Sequence, residues 1–178
     1  MKKIIIYTCL LFVILNTQCE KDTPDPNNIP GLPPATQIGA NTFGCLVNGK
    51  PWVPSGSNGT ANLSIDYDPG FNNGIFGIVA YRFIAPTDEQ LLVAVRDSLN
   101  FLVPPFTIQL SNSSLYSISF KRNCHWFNQF PDVKSSGTLT INKLDRIGGI
   151  ISGEFNATMT RTGCDTIRIT NGRFDFKF

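Results

Sequence analysis

The chain has 178 residues, with 15 Lys+Arg against 13 Asp+Glu, one His, five Cys and 14 Phe. That length suits one domain, and a hydrophobic share of 42% is too high for a disordered tail. A net charge of +2 is no basic footprint for nucleic acid, and a single histidine excludes a multi-histidine metal centre.

Residues 1–18 form a separate object. Lys2 and Lys3 precede Ile4 to Leu15, a run of 12 mostly apolar residues. A transmembrane helix needs about 20, so the run has the length of a signal-peptide core. It ends at Asn16-Thr17-Gln18-Cys19, followed by Glu20-Lys21-Asp22. A cysteine directly after the apolar core resembles the lipobox of bacterial lipoproteins, whose cysteine is lipidated and becomes the mature N-terminus. Gln18 departs from the Gly, Ala or Ser usual at its position; the alternative is an ordinary secretory signal with Cys19 incidental. Cys9 lies inside the apolar run. The resemblance implies lipidation at Cys19 and a lipid anchor in the outer membrane, with the domain on the cell surface or the periplasmic face. Several acyl chains, at about 0.8 kcal/mol per buried CH₂, hold far better than one. The charged residues after Cys19 resemble the surface-export signals of such lipoproteins. Without residues 1–18 the charge balance is 13 against 13, since Lys2 and Lys3 supply the whole excess.

Residues 19–40 carry five prolines (Pro24, Pro26, Pro30, Pro33 and Pro34) and read as a lipidated N-terminus followed by an extended, semi-rigid tether. From residue 41 to 178 the pattern is that of a single all-β domain. Phe43, Cys45 and Val47 alternate up to Asn48-Gly49, a type I′ hairpin signal, with Trp52 on the return. Leu63, Ile65 and Tyr67 alternate before a turn at Asp68-Pro69-Gly70. Ile75 to Ile84 is nearly continuous apolar sequence and is expected to be a central strand. Thr87-Asp88-Glu89-Gln90 has the form of a helix capping box, yet Val93 and Val95 are β-branched and strands flank the segment, so residues 87–99 are expected as strand. Alternation continues through Phe106, Ile108 and Leu110, then Tyr116, Ile118 and Phe120, then Leu139 and Ile141, and then Phe155, Ala157 and Met159. At the end, Ile167 and Ile169 lead to Asn171-Gly172 and to Phe174, Phe176 and Phe178, which reads as a C-terminal hairpin. The expectation is an antiparallel β-sandwich of about 9–10 strands, with a β-barrel as the alternative.

Three cysteines remain in the domain, enough for one internal disulfide. Residues 136–144 and 150–160 should be antiparallel neighbours. Cys124 lies before the start of the first and Cys164 after the end of the second, so both reach one end of the sheet. Cys45 falls mid-strand on the apolar face. A Cys124–Cys164 bridge with Cys45 as a buried free thiol is expected.

Four segments carry a wider resemblance: Asn41 to Trp52 (NTFGCLVNGKPW), Ser136 to Ile141 with Leu144-Asp145, Ile151 to Phe155, and Ile169 to Asp175. Together they resemble a family of small Bacteroidota lipoproteins classed as a domain of unknown function, over nearly the whole folded part. The resemblance implies an all-β extracytoplasmic lipoprotein and brings no activity or catalytic residues.

Several constellations invite chemistry. His125 sits between Cys124 and Trp126, but neighbours on an extended chain point to opposite faces, so a Cys–His nucleophile is disfavoured. Asp66 to Gly74 is oxygen-rich, yet Gly70 and Gly77 occupy positions where a calcium loop needs an oxygen ligand and a Glu; no metal and no cofactor are expected. Asp145, Glu154, Asp165 and Asp175 could supply a glycosidase pair, but they alternate outward among Lys143, Arg161, Arg168 and Arg173 and read as a solvated face. The strongest binding feature is the loop containing Trp126, Phe127, Asn128 and Gln129. Its rings and amides suit stacking on sugar rings and hydrogen bonds to hydroxyls. The competing reading has Trp126, Phe127 and Phe130 capping the core. Asp97-Ser98-Leu99 and Asp165-Thr166-Ile167 match the O-glycosylation acceptor pattern of Bacteroidota secreted proteins, at Ser98 and Thr166.

The expected function is therefore a lipid-anchored, non-enzymatic binding or envelope-interaction module whose partner is a glycan or an envelope protein, with no nucleic acid. The alternatives are a carbohydrate-active enzyme and a carrier of a small apolar ligand.

Overall fold

Period-two alternation becomes eleven strands among the residues that the computed structural model describes, 28–112 and 115–178. The signal peptide, Cys19 and residues 20–27 lie outside the described residues. The first half of the domain contains β1 (Thr42–Val47), β2 (Lys50–Trp52), β3 (Leu63–Asp68), β4 (Ile75–Arg82) and β5 (Glu89–Val95). A short 3-10 turn over Leu99–Phe101 leads into β6 (Phe106–Ser111), β7 (Tyr116–Lys121) and the two-residue β8 (His125–Trp126). The long β9 (Lys134–Asp145), β10 (Ile150–Thr160) and β11 (Ile167–Lys177) follow.

All strand neighbours are antiparallel and build two sheets, ordered β2-β1-β11-β10-β9-β6 and β3-β4-β5-β7-β8. The sheets do not close into a barrel, so the fold is a sandwich. Their inner faces meet over a filled apolar core that includes Trp52, Phe76, Ile78, Leu91, Ile118, Phe120, Leu139 and Ile141, each buried. Phe43 stacks on Phe155 at a 5.4 Å ring separation and Phe120 meets Trp126 at 5.9 Å. Alternate Val, Ile, Leu and Phe on every long strand are what give each sheet one dry face.

The Asn48-Gly49 turn is as expected, with φ of 49° and 78°, both positive as a type I′ turn requires. The segment 87–99 forms β5 and then the 3-10 turn, so its capping-box form starts no α-helix. The bridge Cys124–Cys164 is present and Cys45 is a buried free thiol whose burial pushes its pKa up.

Two expectations are corrected. Asn171-Gly172 is not a hairpin turn: β11 runs straight through it, pairing with β1 on one side and β10 on the other. Asn171 alone has positive φ (52°), and the register shifts between Phe155 and Ala157 on the facing strand, which makes a β-bulge. A Cβ on Gly172 would come within 2.6 Å of the Phe155 ring, so glycine is required there. The central strand expected over Ile75 to Ile84 is present as β4, interior between β3 and β5. Phe76, Ile78 and Ala80 face the core, whereas Gly77, Val79 and Tyr81 face out.

Second, the tether is not a free spacer up to residue 40. Its described part, residues 28–40, lies along the six-stranded sheet as a strap. Asp175, placed by its alternation on a solvated face, is only 1% exposed because the strap covers it. Its carboxylate accepts hydrogen bonds from the Thr36 hydroxyl (2.6 Å) and the backbone N–H groups of Ile38 (3.0 Å), Gly39 (2.8 Å) and Ala40 (3.2 Å). Burial pushes this carboxyl's pKa up, but the four donors outweigh it and leave it below the ordinary value. A depressed carboxylate stabilises the folded form above the unfolded-state pKa of about 4, and that contribution is lost as pH falls through the lower folded value. Asp175→Asn should therefore free the strap, with amide exchange at residues 38–40 at least tenfold faster near neutral pH, reflecting loss of charge-assisted bonds. Hydrogen-exchange mass spectrometry reads this directly; unchanged protection would show that the strap is held elsewhere.

Candidate functional site

The outward face of the five-stranded sheet is where the sandwich leaves room. Ile118 and Phe120 of β7 point into the core, so Ser117 and Ser119 point out. Strand register sets them in two rows, Gly77–Ala94–Ser117 and Val79–Leu92–Ser119. These are small or apolar side chains, and they make a low floor. The nearly unbroken apolar sequence of β4 reflects this second, partly apolar face.

Beyond β8 the chain turns back over that floor. Phe130 N–H bonds to Phe127 C=O (3.0 Å) and Val133 N–H to Phe130 C=O (3.1 Å), which curls residues 127–133 into two tight turns. Arg161 fastens this loop. Its Nε meets the Asp132 carboxylate at 3.1 Å, its Nη1 donates to His125 C=O (2.7 Å), and its guanidinium lies 4.1 Å from the Phe130 ring centre. The Cys124–Cys164 bridge ties the loop's root to the β10–β11 connection.

Floor and loop together enclose an open groove of about 520 Å³ lined by Leu92, Arg96, Ser117, Ser119, Phe127, Asn128 and Gln129. Ser117 and Ser119 are only 4% and 6% exposed, and neither hydroxyl has a hydrogen-bond partner among the described residues. At one end Arg96 is exposed, and its guanidinium has no hydrogen-bond or ion-pair partner among the described residues.

The sequence-predicted loop is thus split. Phe127, Asn128 and Gln129 line the groove, but Trp126 does not. It pairs across strands with Phe120, shares that residue's inward face, and is 3% exposed, so its indole is a core group unavailable for stacking. Phe130 packs against the core, as the capping alternative had it. Ser117, Ser119 and Arg96 were missed by sequence reasoning. Their signal was weak: outward positions beside core residues on β7, and a cation just past β5.

The carboxylates do not form a hydrolytic pair. Asp145 sits at the β9–β10 turn, accepting from Ile147 N–H (3.1 Å) and Gly148 N–H (2.7 Å), and Asp165 lies in the loop at the far end of β10. Eleven strand residues separate those ends, about 35 Å at 3.3 Å each. Glu154 does line a second groove, of about 340 Å³, with Thr138, Thr140, Asn156, Asn171 and Arg173 on the six-stranded sheet. Its nearest acidic neighbour by register, Asp175, is closed off beneath the strap. Among the described residues no group of His, Cys, Asp and Glu could hold a metal ion. Asp68 of the oxygen-rich loop instead accepts from Gly70 N–H at 2.7 Å, an ordinary turn. His125 lies on β8 beside a disulfide-bonded Cys124. Ser98 donates to Asp97 (3.0 Å) in the turn before the 3-10 segment, and Thr166 precedes β11 with its C=O accepting from Asn48 (3.1 Å).

A third surface is apolar. Asn100 N–H bonds to Asn73 C=O (2.9 Å), Asn100 Nδ2 to Pro69 C=O (2.7 Å), and Arg146 Nη2 to Leu99 C=O (3.3 Å), which gathers three loops at one end of the sandwich. Phe71, Phe101, Val103 and Ile147 are exposed on these loops.

Compared with protein-family models, curated proteins and solved structures, the chain matches none.

Proposed function

We propose that this protein is a lipid-anchored, non-enzymatic binding module of the outer membrane, belonging with the small Bacteroidota lipoproteins it resembles, and that it binds glycans through the groove on its five-stranded sheet. The observation that carries the reading is the lining of that groove. One aromatic ring, two amide side chains and two serine hydroxyls without hydrogen-bond partners among the described residues converge there. Rings offer flat apolar faces to pyranose carbons, and amides and hydroxyls exchange water for sugar hydroxyls at a net gain of about 1 kcal/mol per bond. Anchoring at Cys19 follows from the lipobox resemblance, and the proline-rich stretch after it spaces the strap from the bilayer.

The full chain, probed on an immobilised glycan panel, should bind, and Gln129→Ala should weaken binding about fivefold, the loss of one such hydrogen bond. In cells the same chain should fractionate with the outer membrane and leave it in the Cys19→Ala variant. Binding indifferent to both Gln129→Ala and Phe127→Ala would reject the groove, and a membrane fraction unchanged in Cys19→Ala would reject the anchor. The apolar loop end favours a second reading, contact with another envelope protein, since clustered exposed apolar side chains mark interaction surfaces. In that case cross-linked partners would be lost on Val103→Asp with glycan binding intact.

A further inference from the structure

The groove is chemically lopsided. Its lining contains one full positive charge, Arg96, and no carboxylate. Along β3, Asp66 lies on the same outer face and lines a neighbouring depression with Arg96, two strands from β5 or roughly 10 Å at 4.8 Å per strand, but no ion pair joins the two among the described residues. Asp97, beside Arg96 in sequence, is occupied by the Asn73 amide (3.3 Å) and the Ser98 hydroxyl (3.0 Å). An exposed guanidinium without a partner among the described residues, next to an aromatic and amide-lined cleft, is a half-built anion site, because its fork of donors matches a carboxylate or sulfate.

We infer that the ligand of this groove is an anionic saccharide, with a sugar ring laid against Phe127 and its carboxylate or sulfate held by Arg96. The inference rests on the glycan-binding reading above and narrows it to acidic sugars. The remaining lining residues have parts to play on such a ligand. Gln129 meets ring hydroxyls from the loop side, and Ser117 and Ser119 meet them from the floor. Leu92 lies under the apolar patch that a pyranose presents. An acidic peptide would carry the same charge, and β7 pairs with β8 only at Phe120 and Lys121, so the strand edge beside Ser117 and Ser119 makes such a peptide the control that the test requires.

The test uses matched probes and the full chain, by isothermal titration at low and physiological salt. Oligogalacturonate is set against its methyl ester, and heparin oligosaccharide against its desulfated, carboxyl-reduced form; an oligoglutamate peptide is the control. The expected result is at least tenfold tighter binding of the acidic member of one pair. Arg96→Gln should erase that preference and flatten the salt dependence while leaving the neutral member's affinity in place. Equal binding of acidic and neutral members, or a preference that survives Arg96→Gln, overturns the acidic-sugar inference and leaves the groove as a neutral-glycan site. Oligoglutamate binding as tightly as the acidic sugar overturns the saccharide class. Binding of acidic sugar that Phe127→Ala and Gln129→Ala both leave untouched overturns the groove itself. Because Phe127 is partly buried, the exposed Gln129 serves as the variant least able to disturb folding.

Discussion

Glu89→Ala should lower the unfolding free energy by about 3 kcal/mol, without any change in the groove residues. Glu89 opens β5 on the inward side, two residues before the core residue Leu91, and is buried. Its carboxylate joins the two sheets: Oε2 accepts from the indole N–H of Trp52 on β2 at 2.6 Å, and Oε1 meets Nε of Arg122 just beyond β7. The Arg122 guanidinium also lies 5.3 Å from the Phe120 ring centre. Removing the carboxylate leaves a fully buried indole donor without an acceptor and a partly buried cation without a counter-charge. Each loss costs about 1–3 kcal/mol, and Arg122's partial exposure keeps its share at the lower end. Glu89→Gln retains a neutral acceptor for one donor and should cost roughly half as much. Urea denaturation should show a lower midpoint with an unchanged slope, since the surface exposed on unfolding is the same. Wild-type stability in Glu89→Ala would mean that the Trp52–Glu89–Arg122 link adds nothing net to holding the sheets together.

That link also shows where the sequence was legible and where it was not. Thr87-Asp88-Glu89-Gln90 has the local form of a helix start, yet Glu89 is spent on a tryptophan 37 positions earlier in the chain, which no local pattern reveals. Period-two alternation located the long strands, because one face of each must be dry, though it broke β11 at Asn171-Gly172. It could not decide what covers the other face. Arg173, Asp175 and Lys177 have outward parity as read, but the strap lies over Asp175 and converts a solvated position into a buried anion site. The two Asn-Gly pairs make the same point. At residues 48–49 the flanking strands pair with each other and the dipeptide turns; at residues 171–172 both flanks pair with the same neighbours, β1 and β10, and the dipeptide bulges. Trp126 and Phe127 were separable only through the register of a two-residue strand, Phe120 opposite Trp126, which is too short to carry a periodic signal. The disulfide was legible because antiparallel pairing of β9 with β10 brings the segments before and after that hairpin to one end of the sheet.

Removing that disulfide, as Cys124→Ser with Cys164→Ser, should cost about 4 kcal/mol of stability, the loop-closure entropy for its 40-residue separation. It should weaken glycan binding as well. The bridge roots the 124–133 loop against the β10–β11 connection, and Phe127, Asn128 and Gln129 lie only three to five residues beyond Cys124. The Arg161 contacts to Asp132, His125 and Phe130 span the same two segments, so they limit the loosening but depend on the same approach. Cys45 does not complicate the measurement: it is buried in the core, and burial holds its thiol protonated and unreactive. Reduction of the native chain should reproduce the double variant in both readouts, a lower denaturation midpoint and a faster ligand off-rate. Those two effects separate the bridge's contributions. Stability lost with affinity retained would make the disulfide a brake on the unfolded chain alone, while affinity lost at matched stability would show that the groove's shape depends on a covalently fixed loop root.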